Sequence, residues 1–178
     1  MSIVLAITKE GCMIHPMDSY KHVFQALHDA GVNYIIVGGV AMNLLGCPRF
    51  TNDIDILLAL DKANLQAMKD AMRRLGYEQR IPIALDELGD EKKAVHFVQD
   101  HNLLAYTFYS PKDPLYSIDV IVGDSLHFPQ YEKHLVRKDV WGLSLPVVSI
   151  DDLIGLKRKS NRKKDALDIE MLLEFKGL

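Results

Sequence analysis

The chain has 178 residues, 48% apolar and 25% charged, with a net charge of −3, an ordinary balance for a globular protein and enough length to bury a core. That charge gives no whole-chain argument for nucleic-acid binding, so any basic surface must be local. Two cysteines, Cys12 and Cys47, offer no disulfide framework and fit a reducing cytoplasm, and no apolar run approaches the roughly 20 residues that cross a bilayer.

The apolar start Met1–Ile7 has no basic leader and is interrupted by Lys9, Glu10 and Gly11, which reads as a short strand or tail and not as a signal peptide. Asp18 or Ser19 can cap a helix running to about Ala30, with Val23, Leu27 and Ala30 at helical spacing and Gly31 as its stop. Tyr34–Val37 predicts a buried strand ending at Gly38-Gly39, followed by a second helix up to Gly46. A polar turn over 47–52 leads into a strand from Asp53 to Leu60. Asp61 caps a helix from about Lys62 to Leu75, whose Leu65, Met68, Met72 and Leu75 form one apolar face before Gly76. Asp86–Lys93 reads as an acidic loop. Ala94–Val98 and Leu103–Tyr109 read as strands, Ser110–Pro114 as a turn, and the strand through Asp119 closes at Gly123. Leu143–Val148 is a last strand. Asp151 caps a helix over about 152–160, and Asn161 caps a final one through Leu173. The simplest assembly is an α/β (α+β) domain spanning 1–178. It has a mixed, twisted sheet flanked by helices over about 18–150 and two C-terminal helices over about 151–175.

Residues two apart on a strand share a face. Asp53, Asp55 and Leu57 therefore point one way, and Ile54, Ile56 and Leu58 the other, into the core. Asp119 stands likewise opposite Ile118, Val120 and Val122. If the two strands are neighbours, three carboxylates converge. Like charges about 4 Å apart repel by roughly 4 kcal/mol at an effective dielectric near 20, so such a cluster calls for a hard divalent cation. The glycine pair lets the backbone approach a phosphate beside a helix N-terminus. There is no Walker lysine and no Gly-x-Gly-x-x-Gly, so P-loop and Rossmann readings fail.

Gly38-Gly39, thirteen intervening residues, Asp53-Ile54-Asp55 and the later strand acid Asp119 resemble the signature of the polymerase-beta-type nucleotidyltransferase superfamily. The closer resemblance is to its small bacterial and archaeal branch, which includes abortive-infection toxin-type nucleotidyltransferases. Arg49-Phe50-Thr51-Asn52-Asp53-Ile54-Asp55 matches that branch's Arg-x-Thr-x-Asp-x-Asp. Leu153-Ile154-Gly155-Leu156-Lys157 and Arg162-Lys163-Lys164-Asp165-Ala166-Leu167-Asp168-Ile169-Glu170 match its C-terminal motifs. The resemblance covers roughly residues 18 to 173. It implies a metal-dependent enzyme that moves a nucleoside monophosphate from an NTP, ATP foremost, to a hydroxyl and releases pyrophosphate. It implies that Asp53, Asp55 and Asp119 hold Mg²⁺ or Mn²⁺, two ions in all, and that Asp119 helps activate the acceptor. By the same resemblance Gly38, Gly39, Arg49, Thr51, Lys157 and Asp165 bind the nucleotide, with Lys157 approaching the triphosphate. Gly39 stands where many relatives carry serine. The acceptor (tRNA, a protein or a small molecule) is left open, as is an antitoxin-type protein partner. No membrane association is expected.

The remaining candidates have plainer readings. Of the basic residues Lys157–Lys159 and Arg162–Lys164, helical geometry turns Lys157 and Arg162 inward and leaves the rest in water. Asp165 and Asp168 have, beside a role in the site, the plainer reading of pairing with nearby Lys and Arg at helical spacing. The seven histidines include no pairing with Cys or Glu at zinc-site spacing, which suits surface or partly buried roles. Trp141 is core or interface packing. A catalytically silent nucleotide-binding or toxin–antitoxin module of the same fold is the alternative function. A sugar-nucleotide glycosyltransferase would leave the Gly-Gly helix unexplained. A dehalogenase-type phosphatase needs its aspartate at the outgoing end of a strand, whereas Asp53 enters one.

Overall fold

A computed structural model describes residues 6–7, 13–14, 20–160 and 162–177. The elements in order are β1 (Ala6–Ile7), β2 (Met13–Ile14), α1 (Lys21–Asp29), β3 (Tyr34–Ile36), α2 (Gly38–Leu45), β4 (Asp53–Leu58), α3 (Lys62–Leu75), β5 (Glu78–Gln79), a 3₁₀ turn (Leu85–Gly89), α4 (Glu91–Asp100), β6 (Ala105–Ser110), β7 (Asp113–Ile121), α5 (Val122–Ser125), α6 (Phe128–Glu132), β8 (Val136–Val140), β9 (Leu143–Val147), α7 (Ile150–Ser160) and α8 (Lys163–Gly177). β1 and β2 form a two-stranded antiparallel pair. The other seven strands make one mixed sheet in the order β5-β6-β7-β4-β3-β9-β8, parallel at β4/β7 and β3/β9 and antiparallel elsewhere. The expected mixed sheet flanked by helices, with two helices at the C-terminal end, is what forms. No helix among the described residues is long and apolar enough to cross a membrane.

Local chemistry accounts for the elements that frame the centre. The Asp61 carboxylate accepts from Asn64 N at 3.1 Å and starts α3. The stop at Gly76 takes the left-handed conformation, and Leu65, Met68 and Met72 lie in the core between those ends. α1 buries Val23, Phe24 and Leu27; the caps expected at Asp18 or Ser19 fall outside the described residues. Ile54, Ile56 and Leu58 of β4 and Ile118 and Val120 of β7 are buried, so the central strands are pinned by their apolar faces.

Four expectations are corrected. Ala94–Val98 is helical and belongs to α4, and the loop expected over 86–93 is instead the 3₁₀ turn followed by the start of that helix. Asp90 accepts from Lys93 N at 3.2 Å, an N-cap, and Ala94, Phe97 and Val98 face the core at i, i+3, i+4, a helical spacing hidden by the shortness of the run. β8 is an unexpected strand. It returns to β9 through Trp141 and Gly142, both at positive φ (56° and 78°), a two-residue hairpin turn with tryptophan where asparagine is usual. Trp141 stacks on Phe24 at 6.2 Å, which fits the packing role expected of it. The expected turn over 110–114 is shorter, because Ser110 already pairs with Asp113. Finally, α7 is capped by Ser149, whose Oγ accepts from Asp152 N at 3.2 Å and donates to the Asp152 carboxylate at 2.8 Å, so Asp151 is not the cap. The Asn161 cap lies outside the described residues.

Replacing Asp61 with alanine removes the α3 cap and should cost about 1 kcal/mol in urea unfolding at unchanged m-value. A loss below a few tenths would mean that tertiary packing alone sets that helix start.

Candidate active site

β4 and β7 run parallel as neighbours, with Asp55 directly opposite Asp119 and Asp53 opposite Ser117. The three acids consequently rise on one face of the sheet and line one cavity of about 410 Å³. At the end of β3, Val37 N donates to Asp55 O at 2.9 Å, and the chain turns at once into α2. Gly38 makes that turn at φ +64°, and a Cβ there would stand 1.9 Å from Asp55 Oδ2. This position requires glycine for both reasons. Gly39 does not line the cavity. A Cβ on it would lie 2.7 Å from Arg49 Nη1 and 2.7 Å from Thr51 Cβ, so the serine of many relatives has no room while Arg49 holds its place.

Each acid has a distinct environment. Asp53 is exposed, and its Oδ1 accepts from Ser117 Oγ at 2.8 Å. Asp55 is half-buried, and burial, then the Asp119 charge, then that of Asp53 push its carboxyl from the ordinary 3.8 to about 6, against the pull of Arg162 and Lys157. Asp119 is raised by burial and by Asp53, and held back by a hydrogen bond from Thr107 (its partner across β6) and by Arg80 and Arg162. Its Oδ1 is buried and has no hydrogen-bond partner. A buried acceptor of this kind costs free energy unless something outside the protein meets it. Among the described residues no group of three or more His, Cys, Asp or Glu side chains is arranged to hold a metal ion.

The opposite wall is cationic. Lys157 of α7 is buried and donates to Asp168 Oδ2 at 2.6 Å, with Asp165 Oδ1 3.6 Å away. Arg49 Nε pairs with the other Asp168 oxygen at 3.0 Å. The Arg49 backbone is in turn clasped by Asn43 of α2, which accepts from Arg49 N at 2.6 Å and donates to Arg49 O at 2.9 Å. Burial tends to raise Asp165, but a short hydrogen bond from Ser160 Oγ, the Lys157 charge and the Arg162 backbone N–H outweigh it, and its carboxyl sits below the usual range.

Eight of the nine residues singled out in the sequence line this cavity: Gly38, Arg49, Thr51, Asp53, Asp55, Asp119, Lys157 and Asp165. Lys157 is inward as expected. Arg162 is exposed yet lines the cavity, and so do Lys159 and Lys164, which were expected to face only water. Asp168 is the larger correction. It is buried and joins Arg49 to Lys157 across distant segments, where a helical-surface pair had been expected. Sequence reasoning also passed over Ser117 and Asn43. Ser117 could have been found, since it stands two residues before Asp119 on the same strand face. Asn43 left no local signal.

This sheet, with its glycine turn and its acids on adjacent parallel strands, defines a nucleotidyltransferase fold, and solved structures of that fold align with nearly the whole chain. They include the lincosamide antibiotic adenylyltransferase LnuA with lincomycin bound (TM-score 0.58, 13% identity, 95% of this chain and 98% of that one). TM1012 of Thermotoga maritima, attributed to the nucleotidyltransferases, aligns with TM-score 0.53 and 14% identity over 94% and 99% of the two chains. An antigenic nucleotidyltransferase-like protein of Paracoccidioides brasiliensis aligns with 0.54 and 15% over 95% and 77%. No curated protein matches the chain in sequence. The profile of the nucleotidyl transferase AbiEii toxin family, type IV toxin–antitoxin system, matches residues 24–178. The chain belongs to this family and is a nucleotidyltransferase.

Two outcomes test the electrostatics. Protonated Asp55 is favoured by the folded state, so its contribution to stability is complete below about pH 4 and is lost as pH rises through about 6. Asp55→Asn should therefore raise metal-free stability at pH 7–8 by roughly 1 to 3 kcal/mol, with the gain fading toward pH 4 in thermal melts. A pH-independent difference would contradict the assigned burial. Asp168→Ala leaves Lys157 buried without its nearest carboxylate and should destabilise by about 3 kcal/mol in denaturant titration.

Proposed function

We propose that this nucleotidyltransferase transfers a nucleoside monophosphate from an NTP, ATP being the favoured donor, to a hydroxyl acceptor, with pyrophosphate leaving and with dependence on Mg²⁺ or Mn²⁺. The observation that supports this most is the in-register pair Asp55 and Asp119, whose unpartnered buried Asp119 oxygen sits among carboxylates lining one cavity. An all-oxygen donor set of this kind suits a hard cation. In this reading Asp53, Asp55 and Asp119 would hold two divalent ions, and these would supply neutralisation of the triphosphate and of the charge developing in transfer.

The chain's own groups do the rest. The Gly38–Gly39 turn brings the α2 N–H groups toward the triphosphate. Arg49, Thr51 and Lys157 orient it, and Asp165 and Asp168 hold the two cationic side chains in place. Ser117 aims Asp53. Asp119 receives the proton of the attacking hydroxyl. Catalysis then comes mainly from positioning and fixed charge. The acceptor is tRNA, a protein or a small molecule, and an antitoxin-type protein that controls the activity belongs with the family's description. Two cysteines without a disulfide framework support a cytoplasmic setting for this reaction.

Incubation with each labelled NTP and Mg²⁺ or Mn²⁺, offered separately RNA, protein extract and small-molecule pools, should move label into one pool. Asp53→Asn and Asp55→Asn should each lower that transfer by about 100-fold or more while the protein stays folded. Wild-type incorporation by either variant, or no incorporation into any pool, would sink the assignment.

A further inference from the structure

α4 ends in a histidine pair that the nucleotidyl-transfer site does not use. His96, midway along α4, and His101 at its C-cap meet through their Nε2 atoms, 3.2 Å apart. Their ring centres are 4.9 Å apart and the ring planes cross at 89°. The Asp100 carboxylate holds His96 Nδ1 at 2.6 Å. A carboxylate on Nδ1 fixes the proton there and leaves Nε2 as the free lone pair.

The distances discriminate between two explanations. In an aligned N–H···N hydrogen bond at this separation, the ring centres would lie about 5.5 Å apart, since both rings extend along the bond. Two imidazoles bound to one tetrahedral ion at about 2.0–2.1 Å place their nitrogens about 3.3 Å apart and their ring centres about 5.2 Å apart. At 3.2 Å between nitrogens and 4.9 Å between ring centres, the observed pair is bent out of the aligned arrangement and lies nearer the second. We infer that His96 and His101 form an open binding site for a late first-row divalent ion, Zn²⁺ above all, with Asp100 orienting His96 and water completing the coordination. Imidazole nitrogen suits Zn²⁺, Cu²⁺ or Ni²⁺ and not Mg²⁺, so this site is chemically separate from the carboxylates of the cavity.

The location gives the ion something to act on. Asn102 follows at φ +52°, and Leu103 N returns to Phe97 O at 2.9 Å. Val98, between the two histidines, and Leu103 and Leu104, just after them, line the candidate active-site cavity. An ion bridging His96 and His101 ties the end of α4 to the turn that carries this wall. With two protein ligands and both rings open to solvent, binding is modest and exchangeable.

Zn²⁺ titrated calorimetrically into the full chain in excess Mg²⁺ should reveal one site. His96→Gln and His101→Gln should each weaken it by at least about tenfold, and Asp100→Ala by about tenfold, with circular dichroism unchanged. Long-range ¹H–¹⁵N spectra should show both Nε2 resonances shifting together on addition of Zn²⁺. Zn²⁺ affinity in His96→Gln or His101→Gln within twofold of the wild type, no heat at all in the wild type, or Nε2 resonances that do not move would overturn the site. None of these results depends on nucleotide transfer.

Discussion

Parallel pairing of β4 with β7 holds Asp55 beside Asp119 whatever their charges prefer. The ladder is fixed by the other face of both strands, where Ile54, Ile56, Ile118 and Val120 are buried. A one-residue slip of either strand would turn its own pair into the cavity, so apolar burial enforces an electrostatic arrangement that is unfavourable by itself. The cost appears where it should, in carboxyls raised by burial and mutual charge. Gly38 completes the constraint from β3, because any larger residue would displace the Asp55 carboxylate.

The cationic wall is organised differently. Arg49, Lys157, Asp165 and Asp168 carry two charges of each sign and neutralise one another, which makes burial of Lys157 and Asp168 tolerable. They come from the turn after α2, from α7 and from α8, so ion pairs tie the two C-terminal helices to each other and to that turn. Lys159, Arg162 and Lys164 also line the cavity, and of these Arg162 acts on both Asp55 and Asp119. Lys159 is engaged with Asp124 and Tyr131.

Much of this was legible in the sequence because it left local marks. α3 could be placed to the residue, since Asp61 and Gly76 bracket a helical stripe. The acids could be assigned to one face because strand geometry has period two. Their convergence needed one fact that no local pattern carries, the adjacency of β4 and β7. α4 was misread because Ala94–Val98 is short, apolar and β-tolerant, and its Asp90 cap sat inside an acidic stretch that looked like loop. β8 was missed because a tryptophan occupies its turn and charges fill the strand. Asp168 looked like a surface partner because the residues it meets, Arg49 and Lys157, lie far from it along the chain.

The crowding around Gly39 carries an evolutionary corollary. Arg49 and Thr51 already occupy the space a side chain at 39 would need, and Arg49 is anchored by Asn43 and Asp168. Positions 39 and 49 are therefore not free to drift independently. A lineage that acquires serine in the turn must first move or shrink both Arg49 and Thr51, and one that keeps them must keep the glycine.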